Sequence, residues 1–409
     1  MKLNCLKLVL AASAVILTVI SCCSCAYADA VFSTASGALG SVSKIDGDFA
    51  VTLKAAQLGS SARLFDYNDG ARLLVVEDRQ SQNDHIRIYD PENLSTSLAD
   101  LAWENVRGIR DATYLRGYLY VICHDSANVV KINTNDFTKK EIEWIYPKRG
   151  NVPPLADGSS ARGVGITLFG DEIYALFRIE DASGISTESV LVNLADDITT
   201  LRTLGYVALP PGALDLAVHG DRIYAATGGI GADSSIQRID PVAMTAETAL
   251  RAADLAYSGE TLLSFSFSDA GQTLLATSSG GTQKRFWLVE NLDPTTAKNV
   301  LTVDREHIDF GYDRVIGLFW ITSFSDTGGA SLRVLMHERL EVLLDTSVLG
   351  EEVRYVAPIK KLANSDGGGT TIINNYNGSS GCSGMPWPLL LALSPLLLTF
   401  WRPKTPHHK

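Results

Sequence analysis

Residues 170–177 read GDEIYALF, and the fold turns on the apolar run that this glycine opens, because the same pattern returns along the chain. It opens GARLLVV at 70–76, GYLYVI at 117–122, GDEIYAL at 170–176, GDRIYAA at 220–226 and GQTLLAT at 271–277. The glycines stand 47, 53, 50 and 51 residues apart. Each run is followed by a partner: HIRIYDP at 85–91, VVKIN at 129–133, VLVNL at 190–194, IQRIDP at 236–241 and FWLVE at 286–290. The unit is a glycine turn, a strand apolar on both sides, a polar gap, and a second strand ending in Asp or Asn. Glycine supplies the positive φ of a tight turn, and the closing Asp-Pro or Asn starts the next turn because proline cannot continue a central ladder.

A period near 50 with about four short strands per unit predicts an all-β chain, a β-propeller of about seven blades (six to eight). A strand apolar on both sides suits a radial sheet covered on both faces. Helical periodicity is hard to find between residues 30 and 360. A further unit fits around 310–349, carrying VIGLFWI and LRVLM. Residues 29–58 make only part of a blade, and 351–362 alternate like a single strand, so the two chain ends together complete one blade and close the ring. Over residues 29–362 the chain resembles exported seven-bladed repeat propellers, although Trp-Asp dipeptides are absent. The competing arrangement is a pair of two-sheet sandwiches or a tandem array of small β-domains.

Composition bounds the partners. A chain of 409 residues, 46% hydrophobic and 20% charged, can bury a large core, and its formal charge of −11 argues against nucleic acid or an anionic bilayer surface. Of its six cysteines, Cys5, Cys22, Cys23 and Cys25 lie near the N-terminus, leaving Cys123 as a buried strand residue and Cys382 near the C-terminus.

Propellers bind ligands at the mouth of the central channel, so Asp111, His124, Arg162, Asp215 and His219, which fall near turns, are the residues to watch. They form no recognisable catalytic constellation. No zinc-binding His motif, nucleophile elbow or phosphate loop is present, and Asp66 to Glu77 fails the calcium-loop pattern because glycine stands at its fifth position. No cofactor or metal is expected. His85 and His307 read as surface or strand residues. Two functions fit the body: a binding or scaffolding module for a protein, peptide or glycan, or an extracellular enzyme of the hydrolase or lyase kind. Convergent carboxylates, a histidine or a divalent cation at the channel mouth would favour chemistry; exposed aromatic and neutral polar groups would favour binding.

The two ends read as addresses. Lys2 and Lys7 precede an apolar run over 8–20, and Ala26-Tyr27-Ala28 is a small-x-small cleavage site, giving a signal peptide of residues 1–28. Val19 to Cys22 also resembles the lipobox of bacterial lipoproteins, with Cys22 as the lipid-bearing residue. Residues 363–380, rich in Gly, Ser and Asn, make a tether. Then 385–401 run without a charge between Trp387 and Trp401, and Arg402 and Lys404 form a basic end, a transmembrane helix with its C-terminus in the cytoplasm.

The order of Gly381-Cys382-Ser383-Gly384, a leucine-rich span and a basic end resembles the bacterial GlyGly-CTERM sorting domains, most closely the Synergistes-type version. The resemblance implies retention in the membrane until a dedicated protease or transferase acts at Gly381, Cys382, Ser383 and Gly384 within the 381–409 segment. A simple tail anchor is the alternative.

Overall fold

The computed structural model describes residues within 30–358, apart from several short stretches among them; 1–29 and 359–409 lie outside the described residues. The signal peptide with Ala26, Ala28 and Cys22, the 363–380 tether, Gly381 to Gly384 and the Arg402–Lys404 end therefore fall outside them, as does most of the Asp66–Glu77 turn. The chain divides into two units, Met1–Gly368 and Gly369–Lys409, and every described residue belongs to the first.

Strands succeed one another with almost no other regular structure. They are β1 (Ala30–Ser36), β2 (Leu39–Ile45), β3 (Val51–Gly59), β4 (Arg63–Asp66), β5 (Leu74–Asp78), β6 (His85–Tyr89), β7 (Ala99–Ala102), β8 (Ile109–Leu115), β9 (Tyr118–Cys123), β10 (Asn128–Asn133) and β11 (Lys140–Ile145). Then come β12 (Ser160–Phe169), β13 (Glu172–Glu180), β14 (Ser186–Asp197), β15 (Thr200–Leu209), β16 (Ala213–His219), β17 (Arg222–Thr227), β18 (Ser235–Asp240), β19 (Thr245–Arg251) and β20 (Thr261–Phe267). The last are β21 (Gln272–Ser278), β22 (Gln283–Glu290), β23 (Lys298–Asp304), β24 (His307–Asp313), β25 (Leu318–Phe324), β26 (Ala330–Met336), β27 (Arg339–Asp345) and β28 (Glu352–Pro358). Among the described residues the helical content is two single 3-10 turns, Ala252–Asp254 and Pro294–Thr296.

These strands form seven four-stranded antiparallel sheets, an all-β propeller. Six sheets are consecutive: β4–β7, β8–β11, β12–β15, β16–β19, β20–β23 and β24–β27, numbered sheets 2 to 7. Sheet 1 has the order β28-β1-β2-β3, so the last strand of the body supplies the first position of the sheet begun by the N-terminal strands. The closure expected from the two chain-end fragments is the one observed. First strands lie against one another in order, β8 on β12, β12 on β16, β16 on β20, β20 on β24, β24 on β28 and β28 on β4, which places them around a central bore.

Second strands show why the glycine repeat was legible. In β9, Leu119, Val121 and Cys123 pack into the seam toward sheet 2, while Tyr120 and Ile122 pack into the seam toward sheet 4. In β13, Ile173, Ala175 and Phe177 face sheet 3, whereas Tyr174 and Leu176 face sheet 5. Alternate side chains feed opposite seams, so a strand without a polar face is required. Cys123 is fully buried, as its apolar setting suggested. The turn glycines 117, 170, 220 and 271 have φ of 86, 60, 61 and 82°, where a Cβ would be strained. At the other end of the unit, Asp240 Oδ1 accepts the amides of Val242 and Ala243, both at 2.9 Å, and shapes the turn after β18.

Candidate bore and mouth

The glycine units correspond to the second and third strands of each sheet; the first strands carry the bore. In four of them the pairing register skips one residue: Arg110 in β8, Val164 in β12, Leu214 in β16 and Leu263 in β20. The bulge bends the strand and brings the next residue to an equivalent place in each sheet. Those residues are Asp111, Gly165, Asp215 and Ser264, joined by Asp309 of β24 and Tyr355 of β28.

The aspartates stitch neighbouring sheets together. Asp111 Oδ1 accepts its own strand's Ala112 amide at 2.8 Å, and Oδ2 accepts the Ile166 amide of sheet 4 at 2.9 Å. Asp215 Oδ1 accepts the Leu216 amide at 2.8 Å, and Oδ2 accepts the Phe265 amide of sheet 6 at 3.2 Å together with the Ser264 hydroxyl. Asp309 Oδ2 accepts the Val356 amide of sheet 1 at 3.1 Å. Sheets 3, 5 and 7 thus reach into sheets 4, 6 and 1. An odd number of sheets leaves sheet 2 outside this alternation, and there Arg63 lies with its guanidinium 5.5 Å from the ring centre of Tyr355 in sheet 1.

Protein atoms surround these carboxylates, yet each keeps partial exposure because it faces the bore and not a seam. Desolvation pushes Asp111 up to about 7, with Asp215 adding a like charge against the opposing pull of its amide bonds. Asp309 is pushed up to about 6 and Asp215 is raised, both chiefly by burial. Burial lowers Arg110, and the nearby Arg63 charge lowers it further.

A second cluster stands where the first strands begin. β9 and β13 run opposite to β8 and β12, so their ends meet the starts of those strands at one mouth of the bore. There Arg162 and Arg178 are direct cross-strand partners. Glu180 bridges them, 3.1 Å from Arg162 Nε and 2.6 Å from Arg178 Nη2. His124 Nδ1 lies 2.9 Å from Asp125 Oδ1, and its Nε2 lies 3.5 Å from Arg178 Nη2. Asp125 returns to Arg162 at 3.7 Å and closes the ring of five residues. Burial lowers the His124 pKa, against the raising effect of Asp125, and the Arg178 and Arg110 charges lower it further. Arg178 Nε is buried without a hydrogen-bond partner.

Two glycines make this approach possible. A Cβ on Gly163 would lie 2.4 Å from the Cys123 carbonyl oxygen, and one on Gly165 would lie 2.9 Å from Leu216 Cβ. The Gly163 amide donates to the His124 carbonyl at 3.3 Å, which sets Arg162 beside His124.

Of the residues singled out in the sequence, Asp111 and Asp215 meet in the bore, and His124 and Arg162 meet at its mouth. His219 does not join them: it ends β16 at the far face and stacks on Phe267 at 4.7 Å. His307 stacks on Phe324 at 4.9 Å. Arg110, Asp125, Arg178, Glu180 and Asp309 were not anticipated. For Asp309 a signal existed, since Asp111-Ala, Asp215-Leu and Asp309-Phe are each an aspartate followed by an apolar residue a few positions before a turn glycine. Among the described residues no group of three or more His, Cys, Asp or Glu side chains is arranged to hold a metal ion. Convergent carboxylates and a histidine are present, the composition expected of a catalytic mouth, but the oxygens of Asp111 and Asp215 are occupied by backbone amides.

No protein-family model matches the chain. No curated protein matches it either. Among solved structures it is similar to a protein from Lactobacillus plantarum, at 11% identity and a TM-score of 0.54, over 81% of this chain and 99% of that one. It is also similar to a functionally unknown protein from Desulfotomaculum acetoxidans, at 12% identity and a TM-score of 0.52, over 80% and 98% of the two chains. The likeness is one of fold.

Proposed function

We propose that this chain is an exported binding module, held at the cell envelope by its C-terminal segment and recognising a protein, peptide or glycan at the mouth of its propeller. One observation carries the binding reading: the central carboxylates serve as inter-sheet stitches, while a ring of charged side chains lies at the mouth. Proton-transfer catalysis needs a carboxylate free to meet substrate, and Asp111 and Asp215 spend their oxygens on backbone N–H groups. Export rests on the 1–28 signal, and anchoring on the 385–401 span with Arg402 and Lys404 behind it.

The second reading, an extracellular hydrolase or lyase, is favoured by the convergence of Asp111, Asp215 and Asp309, carboxylates that hold their protons to higher pH than usual. A pull-down of the protein from its native envelope, run beside turnover assays on a panel of glycans and esters, separates the two. Specific capture without turnover supports the module; turnover abolished by Asp111→Asn and Asp309→Asn supports the enzyme.

The envelope address has its own test. Deleting residues 1–28 should leave the protein in the cytoplasm. Mass measurement of the mature protein decides whether the end is removed at Gly381 to Gly384 or retained to Lys409 as a simple anchor, with Cys382→Ala as the control.

A further inference from the structure

The four skipped positions of the first strands are equivalent by register, and three of them hold apolar residues: Val164, Leu214 and Leu263. In β8 the position holds Arg110. Nothing in the propeller architecture requires a guanidinium there, since the sister strands make the same bulge without one. Arg110 forms no hydrogen bond or ion pair among the described residues, and its charge is opposed by Arg63. Asp111 and Asp215 attract it through space, but their oxygens are committed to amides and the Ser264 hydroxyl. In the strand register Arg110 stands between Ile109, which pairs with Cys123 next to His124, and Asp111, so it lies between the mouth and the stitched ring. Among the described residues, then, this partly wetted guanidinium has no hydrogen-bonded anion for its five donors and is repelled by a like charge.

We propose that the mouth of the bore captures the anionic group of a small ligand, a carboxylate or a phosphate, on the Arg110 guanidinium, with the paired His124 and Arg178 at the same mouth. The Arg162–Glu180–Arg178 bridge holds Arg178 in place, and because Glu180 and Asp125 balance the two mouth arginines, Arg110 supplies the net positive charge that an approaching anion meets. This names the ligand chemistry of the binding module and rests on that reading for the location of the site.

The test uses the full-length protein in detergent micelles and isothermal titration with inorganic phosphate, glutamate and galacturonate, with galactose as the neutral counterpart. At least one anion should bind saturably and galactose should not; the phosphate and carboxylate arms identify which group is read. Arg110→Leu, which installs the residue type of the sister strands, should weaken that binding at least tenfold and melt at or above the wild-type temperature. Arg222→Leu, which removes an outlying surface pair with Asp221, should bind as wild type does. The proposal is overturned if no anion binds, if Arg110→Leu binds as tightly as wild type, or if it melts below wild type, which would make Arg110 a structural residue. Envelope pull-down with the same variant keeps the two readings apart. A partner retained by Arg110→Leu leaves the module standing and removes the anion site, whereas anion binding with no envelope partner does the reverse.

Discussion

Asp111 Oδ2 of β8 accepts the Ile166 amide of β12 at 2.9 Å, a hydrogen bond between sheets 55 residues apart in sequence. Apolar side-chain packing fills the seams between the blades, so a carboxylate that takes a neighbour's backbone N–H adds a directional contact to a non-directional one. Asp215 repeats the arrangement toward Phe265, and Asp309 toward Val356. Together they fix the spacing of the first strands around the bore.

Removing one stitch orphans a backbone donor. Asp111→Ala is expected to destabilise the protein by about 1–3 kcal/mol, because the Ile166 amide loses its acceptor in a crowded site. Urea unfolding followed by tryptophan fluorescence measures it. No loss of stability would mean that water replaces the carboxylate at no cost.

Stability should fall as pH rises from about 4 to 7. Asp111 and Asp309 bind protons more tightly folded than unfolded, so their contribution is complete below the ordinary carboxylate pKa near 3.8 and is lost as pH passes about 6 and then about 7. Wetting of the bore holds the effect to about 1–3 kcal/mol. His124 acts oppositely, since its lowered pKa favours folding as pH rises toward 6.5. The turn carboxylates Asp181, Asp240 and Asp293, lowered by their hydrogen bonds, cost stability only below about pH 4. Melting temperatures between pH 4 and 8 should therefore be highest near pH 4 and fall toward pH 7, and Asp111→Asn should flatten that fall.

Two glycine substitutions separate space from backbone strain. Gly163→Ala drives a Cβ to 2.4 Å from the Cys123 carbonyl oxygen and should cost about 2–4 kcal/mol by forcing β9 and β12 apart. Gly170→Ala has open space but a φ of 60° and should cost only about 1 kcal/mol. Equal losses in denaturant unfolding would contradict the close approach.

Ring closure can be tested by truncation. A chain ending at residue 350 lacks β28, exposing β1 of sheet 1 and removing the neighbour of β4 and β24. It should lose cooperative thermal unfolding, whereas a chain ending at 362 should keep it.

The residues legible from sequence were those buried on both faces. Runs such as GDEIYAL announce themselves because every side chain from Ile173 to Phe177 enters one seam or the other, and the period of about 50 residues then dictates radial repetition. The closing pair, 29–58 with 351–362, came from the same logic: two incomplete units at the ends of a ring make one. First strands escaped notice for the opposite reason. One face of each lines the bore, so apolar residues there alternate with Arg, Asp, Ser or Gly, and the pattern resembles a loop.

Local sequence thus determined the second and third strands, their repetition at about 50 residues and the joining of the ends, since those depend on hydrophobic period and turn chemistry within one unit. Which charges would meet was decided only when the ring closed. Arg110 and Asp215 lie 105 positions apart and Asp309 lies 94 further on, yet the closed ring, with bulges of one residue in β8 and β16, brings them to the same bore. A register skip leaves almost no mark on composition, but it sets which way a side chain points, and the electrostatics of the centre depend on that direction.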